Sequence, residues 1–328
     1  MPFALSNLRK ILPFVDFSML AFSQFRLPSP MILLLGADGY VGRAIAADLR
    51  TRGLPHAAPS HADLDASSKD AVARVIQDLK PTALINAIGF TGRPNIDGTE
   101  REKLRCLTAN TLVPGVLAEV LADHNIPWGH VSSGCIYEGT RTDGSPFTEN
   151  DPPNFAFSHP AAGWYSRTKA MAETLLADAP ECLIWRMRIP FDQFDHERNY
   201  ISKLMRYDRL LEVTNSISQR QEFAHAAVES LLRRLPGGIY NITNPGAIRT
   251  SEVAEAIRRH GLCQRKFTFF TDEAEFMAVP GRVKRASCVL SSKKLTDAGI
   301  PLREVHDALE WTLKNWACDA RRSGAADG

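Results

Sequence analysis

Little in this sequence suggests an oxidised, metal-bound or membrane-embedded protein. Six cysteines (106, 135, 182, 263, 288 and 318) are scattered, with no C-x-x-C pair and no His-rich cluster. That argues against a disulfide scaffold or a zinc site and suits a reducing, cytoplasmic setting. A formal net charge of +2 on 328 residues gives no case for nucleic acid or an anionic membrane as partner. The apolar stretch from Ile11 to Phe22 is broken by Pro13 and Asp16 and is too short to span a bilayer. No small-residue cleavage signature follows it. Residues 1–30 therefore read as an extension or an over-long start, with a peripheral membrane-contacting arm as the sharper alternative. Internal repeats and low-complexity linkers are also missing. A hydrophobic content of 44% suffices for a full core, as one large or two modest domains.

What is present is a regular alternation of strands and helices from Met31 onward. Ile32 to Leu35 form a short buried-strand run, and the turn Gly36-Ala-Asp38-Gly39-Tyr40-Val41-Gly42 follows at once. An amphipathic helix comes next, with Val41, Ala44, Ala46 and Leu49 apolar and Arg43, Asp48, Arg50 and Arg52 charged. Strand, glycine turn and helix in that order are what a dinucleotide pyrophosphate requires, although the spacing is G-x-x-G-x-x-G. Residues 54–60 read as a weak second strand, and Ala83 to Gly89 as a strand with its exit turn. A long helix from Gly98 to Asp123 is expected, kinked at Pro114, before a strand ending at Ser133. A helix from Tyr165 and strands at Cys182 to Met187 and Gly238 to Thr243 complete the pattern. The fold class is thus α/β, a Rossmann-type doubly wound parallel sheet with helices on both faces.

Tyr165 and Lys169 stand one helical turn apart, so a phenol and an ammonium share a face. Such an ammonium is expected to lower a phenol pKa that is normally about 10. A hydroxyl from Ser133 completes the equipment for moving a proton on an alcohol oxygen while hydride moves on its carbon. Cys135 lies two residues further on, and continued strand geometry would put both side chains on one face.

The glycine turn, Asn86-Ala87-Ile-Gly89, Asn110, Ser133, and Tyr165 with Lys169 resemble the extended short-chain dehydrogenase/reductase family of nucleotide-sugar enzymes. The likeness covers residues 31 to about 310. It is closest to plant-type nucleotide-rhamnose synthases and dTDP-4-dehydrorhamnose reductases. The stretches that carry it are Gly89 to Asp97, Ser133 to Tyr137, Asp151 to Phe155, Tyr165 to Met171, Arg198 to Lys203 and Asn241 to Gly246. The resemblance implies a nucleotide-sugar substrate, a 4-keto-6-deoxyglucose carried on UDP or dTDP. It assigns Tyr165 to protonate O4, Lys169 to hold the nicotinamide ribose, and Ser133 to hydrogen-bond O4. Epimerisation would fall to Cys135 and to Lys203, which matches the epimerising lysine of the plant enzymes; GDP-fucose synthases also carry a cysteine two residues beyond this serine.

Asp63 and Leu64 would flank the adenine, as in the family, and Asn86, Ala87, Gly89 and Asn110 would line the cofactor. No acid ends the second strand, in His56 to His61, to select NADH by its ribose hydroxyl. NADPH is therefore the expected cofactor, NADH the alternative, and Arg43 serves either a 2′-phosphate or the helix surface. Asn154, Arg198, Asn199 and Arg285 are the candidate nucleotide contacts, since diphosphates favour arginine. The proline that usually precedes the family's arginine is absent before Arg285. Residues 31–188 with 216–244 would form the cofactor domain, 189–215 with 245–318 the substrate lobe, and 319–328 a tail. A homodimer is compatible with this reading. The alternatives are a reductase acting after a separate epimerase, and a non-catalytic regulatory subunit, against which the retained Ser133, Tyr165 and Lys169 argue.

Overall fold

The computed structural model describes residues 31–317; the expected extension at 1–30, the tail at 319–328 and Cys318 lie outside the described residues. Strands β1 (Ile32–Leu35), β3 (Ala83–Asn86), β4 (Trp128–Ser133) and β5 (Cys182–Met187) are buried along their whole length. That is the pattern of a parallel sheet covered on both faces. With β2 (His56–Ala57) and β6 (Gly238–Asn241) they form one six-stranded sheet in the order β6-β5-β4-β3-β1-β2, all parallel. Alternation along β1 splits the core in two. Ile32 and Leu34 pack with Ile45 and Leu49 of α1 (Tyr40–Thr51) and Phe223 and Ala227 of α6 (Arg220–Leu232). Leu33 and Leu35 face Val72 and Ile76 of α2 (Lys69–Leu79) and Leu117 and Leu121 of the long helix α3 (Lys103–His124).

Strand order sets where a ligand goes. The chain leaves β1 toward β2 on one side, then crosses back through α2 to β3 on the other. Such a reversal opens a crevice beyond the carboxyl ends of β1 and β3. The glycine turn closes one side of it and the loop after Asn86 the other.

Helix α3 departs from the expected course in two ways. It begins at Lys103, because Ile96–Glu100 is a separate 3₁₀ turn whose start is capped by Asn95 Oδ1 accepting from Asp97 N. It is also interrupted by a π turn at Thr108–Leu112, directly before Pro114. Proline has no N–H to give the fourth preceding carbonyl, and the wider turn accommodates that loss. By length and composition α3 could cross a membrane, but Val113, Leu117, Val120 and Leu121 are core residues here.

A separate apolar cluster lies away from the central sheet. Ile201 and Leu204 of α5 (Tyr200–Arg206) pack with Val253 and Ile257 of α7 (Thr250–Arg259) and Leu309 and Leu313 of α8 (Val305–Lys314). The weak strand expected over 54–60 shrinks to the two residues of β2.

Candidate active site

Helix α4 (Trp164–Leu175) carries Tyr165 and Lys169 on its buried face, at 8% and 3% exposure. Its start is tied down by Trp164 N donating to Glu100 Oε1 at 2.5 Å. Its middle is pinned to the π turn, where Thr111 Oγ1 donates to the Thr168 carbonyl at 2.8 Å. Lys169 Nζ donates to the Val131 carbonyl on β4 at 2.9 Å. A methyl on Gly89 would lie 3.6 Å from the same Nζ, so the strand-exit loop opens on this ammonium. Burial pushes Lys169 down to about 8.

Ser133 ends β4, and its hydroxyl lies close enough to the Tyr165 phenol to draw its pKa down. The expected lowering of the phenol by Lys169 is corrected by the structure. Burial, then the nearby Cys135 sulfur, push Tyr165 up, while Ser133 and Arg188 pull it back. The one-face argument for Cys135 also fails, because pairing with β5 stops at Ser133 opposite Met187. The chain turns there, with Cys135 N donating to Ser133 Oγ at 3.1 Å. Cys135 is half-buried, and Arg188 rather than strand geometry fixes its sulfur, through Nη1 at 2.8 Å.

The glycine turn is built for close backbone approach. Gly36 has φ +76°, and a Cβ there would come within 2.7 Å of Ile88 N. A Cβ on Gly42 would reach 2.0 Å from the Gly36 carbonyl, so only glycine lets α1 start this close to β1. Gly39 caps α1 without a side-chain bond, and no acid occupies the first turn. The N-terminal amides of a twelve-residue helix thus face the crevice unopposed by like charge, which fits a pyrophosphate. Asp38 and Gly39 are exposed, and Val41 packs on the core. Tyr40 stacks on His196 with ring centroids 4.7 Å apart. Arg43 is exposed and makes no ion pair among the described residues.

Several of the residues expected at the cofactor have side chains that also hold the fold. Asn86 is fully buried, its amide bonded to His130 Nδ1 and to Ile88 N, both at 3.0 Å. It shapes the exit turn that Ala87 anchors through its N–H to the Leu35 carbonyl, 2.9 Å away. Asn110 is equally buried, accepting from Phe90 N at 2.8 Å and donating to the Phe90 carbonyl at 3.0 Å. Its contribution is to hold the crevice loop onto α3 and, through Thr168, onto α4. Leu64 is a core residue, and Asp63 is exposed, accepting from Ser60 Oγ at 2.6 Å, a bond that holds its carboxyl low.

On the substrate side, Arg198 Nη1 donates to Thr91 Oγ1 at 2.7 Å and the Gly92 carbonyl at 2.8 Å, tying the second lobe to the strand-exit loop. Asn199 is the fully buried N-cap of α5, its side-chain amide donating to Asp192 and Phe194. Asn154 is committed to the backbone of Glu138 in both directions, at 2.8 and 2.9 Å. Arg285 forms a bidentate pair with Asp97, both bonds 2.7 Å. Lys203 is half-buried and has no side-chain partner among the described residues. Burial, then the cations Arg198 and Arg285, lower it to about 8, against a pull from Glu197 and Cys135.

Residues 30–318 match the family described as the RmlD substrate binding domain. The chain belongs to that family. Among similar curated proteins is the trifunctional UDP-glucose 4,6-dehydratase/UDP-4-keto-6-deoxy-D-glucose 3,5-epimerase/UDP-4-keto-L-rhamnose-reductase of Arabidopsis thaliana. It is 32% identical over 260 residues, which are 77% of this chain and 38% of that protein. The chain thus spans about two fifths of that relative's length. The bifunctional dTDP-4-dehydrorhamnose 3,5-epimerase/dTDP-4-dehydrorhamnose reductase of the same plant is 29% identical over 285 residues, 84% of this chain and 90% of that one. Among solved structures, the UDP-rhamnose synthase of Acanthamoeba polyphaga mimivirus shares the fold at TM-score 0.80 and 24% identity, covering 87% of this chain and 99% of its own.

Three residues of this RmlD-family chain escaped the sequence reading. Asp97 holds both Arg285 and, through Oδ1, the Val283 amide at 2.9 Å. His196 lies on the glycine-turn tyrosine from 156 positions away, so no local pattern announces it. Arg188 had a visible signal. With Arg186 it puts two arginines at i and i+2 on the end of an apolar strand, on one face. A buried strand end does not carry two cations there without partners.

Proposed function

We propose that this chain is an NADPH-dependent 3,5-epimerase and 4-reductase that turns a nucleotide 4-keto-6-deoxyglucose, on UDP or dTDP, into nucleotide-L-rhamnose. The observation that carries the reading is the convergence of Tyr165, Lys169 and Lys203 within the electrostatic reach of Cys135, next to Ser133. A reductase alone has use for the first two and Ser133, but not for Cys135. Both plant relatives bear epimerase and reductase in their names, which supports the same pairing here.

In this reading Cys135 takes a proton from C5 or C3. The C–H electron pair becomes the C=C bond, and the carbonyl pair moves to O4. Ser133 and Tyr165 donate hydrogen bonds to that oxygen where the charge develops. Lys203, protonated below about 8, returns a proton to carbon from the opposite face, and the C4 carbonyl re-forms inverted at its neighbour. The glycine turn from Gly36 to Gly42 would hold NADPH, which would supply the hydride for C4. Tyr165 then gives its proton to O4; burial keeps it protonated until that moment. Lys169 holds the nicotinamide ribose and renews the tyrosine's proton. Arg43 would hold a 2′-phosphate, and the second lobe, 189–215 with 245–318, would hold the nucleotide with Arg198 at its edge.

Purified protein given NADPH and either nucleotide 4-keto-6-deoxyglucose tests this. NADPH oxidation with rhamnose as product, and solvent deuterium at C3 and C5, are expected without a helper epimerase. Turnover only of the already epimerised ketose would reduce the reading to a 4-reductase. No turnover with either nucleotide would remove it.

A further inference from the structure

Arg188 is a buried guanidinium with no carboxylate partner among the described residues. It leaves the end of β5 at 1% exposure. Its Nη2 donates to Asn215 Oδ1 and to the Ala286 carbonyl, both neutral. Its Nε has no hydrogen-bond partner among the described residues. The contrast with Arg186, two residues earlier and equally buried, is direct: Glu173 neutralises that one at 2.6 Å. A buried cation left without an anion is costly, so a partner charge is to be sought among its contacts. Two sulfurs lie close enough to count, Cys135 and Cys288. Cys288 is sealed in the interior at 1% exposure, with its thiol directed to the Gly134 carbonyl 3.3 Å away. Cys135 is half-buried, faces the site, and receives Nη1 at 2.8 Å.

We propose that Arg188 is the charge partner of Cys135, a positioning residue that holds this sulfur aimed beside Ser133 for proton abstraction. The proposal rests on Cys135 acting as a base in the reading above. Arg188 touches neither substrate nor cofactor in this role. It acts by supplying a fixed positive charge that stays charged at any working pH. Its two neutral acceptors clamp the guanidinium, so the charge cannot swing to solvent. The same contact explains why the sulfur holds its place after the strand has ended at Ser133.

Alkylation by iodoacetamide at pH 7, read site by site by mass spectrometry, tests the pairing without any substrate. Cys263 is the internal reference, since it is also a half-buried free cysteine. Cys135 is expected to react at least about tenfold faster than Cys263, because thiolate and not thiol is the nucleophile. Arg188→Gln should lose that advantage, and Arg188→Lys should recover most of it. Deuterium wash-in at C3 and C5 should have its acid limb moved to higher pH in Arg188→Gln, and nearer to its original place in Arg188→Lys. Equal alkylation of Cys135 and Cys263 in the unmodified protein overturns the pairing, even where the variants fail to fold. Equal Cys135 rates in folded Arg188→Gln and the parent overturn it as well. Fast Cys135 alkylation with no turnover of either nucleotide sugar would leave Arg188 assigned and remove the proposed function. Full turnover with sluggish Cys135 would do the reverse.

Discussion

Replacing Lys169 by methionine should make the cofactor-free protein more stable while abolishing reduction. The side chain is 3% exposed and sits at about 8 instead of the ordinary 10.5. A shift of that size corresponds to about 3 kcal/mol, since each pKa unit is about 1.4 kcal/mol. Between about 8 and 10.5 the unfolded chain holds the lysine proton and the folded protein does not. Stability therefore rises with pH across that window, and below it the folded protein bears the whole cost of a buried ammonium. Methionine matches the length of the stem and removes the charge. Against the gain stands the lost bond from Nζ to the Val131 carbonyl, worth about 1–2 kcal/mol. The net expectation at pH 7 is a gain of about 1–2 kcal/mol in urea unfolding, shrinking toward a loss by pH 10. The difference between parent and variant isolates this lysine from other groups that titrate there. A variant less stable than its parent at pH 7, or a difference that does not change from pH 7 to 10, would refute the reasoning.

Lys203 should act as an acid with an alkaline limit: deuterium wash-in is expected to fall above pH 8, where its proton leaves, and to drop by at least about a hundredfold in Lys203→Met. Cys135→Ala should lose wash-in to the same extent, while reduction of the already epimerised ketose falls far less; equal loss in both assays would place Cys135 in reduction instead. Glu173→Gln should cost about 3–5 kcal/mol in urea unfolding, because it leaves the fully buried Arg186 without its anion; a loss under about 1 kcal/mol would mean the pair contributes little. Gly42→Ala should unfold the turn or abolish NADPH binding, given a Cβ 2.0 Å from the Gly36 carbonyl. Gly115→Ala in α3, with 3.5 Å to Leu175 Cδ1, should instead stabilise by about 0.5–1 kcal/mol.

The central sheet was legible because parallel strands covered on both faces favour apolar runs. Ile32–Leu35 and Ala83-Leu-Ile85 satisfy that preference locally, and Leu183-Ile-Trp185 does so within β5, whereas Trp128–Ser133 carries only Val131 as an aliphatic residue. The second lobe was not legible at the same level. Its paired segments are two residues long, as in Arg209–Leu210 with Thr268–Phe269, too short for any period to show. Its core assembles only when α5, α7 and α8 meet from three distant stretches. The π turn before Pro114 was half visible: proline announces a lost hydrogen bond, but not whether the helix kinks or widens to absorb it.

Within the site, legibility followed the range of the interaction. Tyr165 and Lys169 share one helix face, and Ser133 stands at a strand end, so spacing alone brought out their chemistry. Electrostatics did not follow from spacing. Burial strips both groups of water, driving the phenol up and the ammonium down. A pair poised in this way keeps its proton on the tyrosine until a developing oxyanion draws it off, which suits an acid better than a standing phenolate would. The role of Arg188, unlike its presence beside Arg186, is illegible in the chain for a related reason. Its meaning lies in what is missing around it, a carboxylate, and an absent partner is visible only once Asn215, Ala286 and Cys135 have been brought together from 27, 98 and 53 positions away. Arg186 and Arg188 look alike in the chain. The fold makes one a neutralised strut and leaves the other's charge for Cys135.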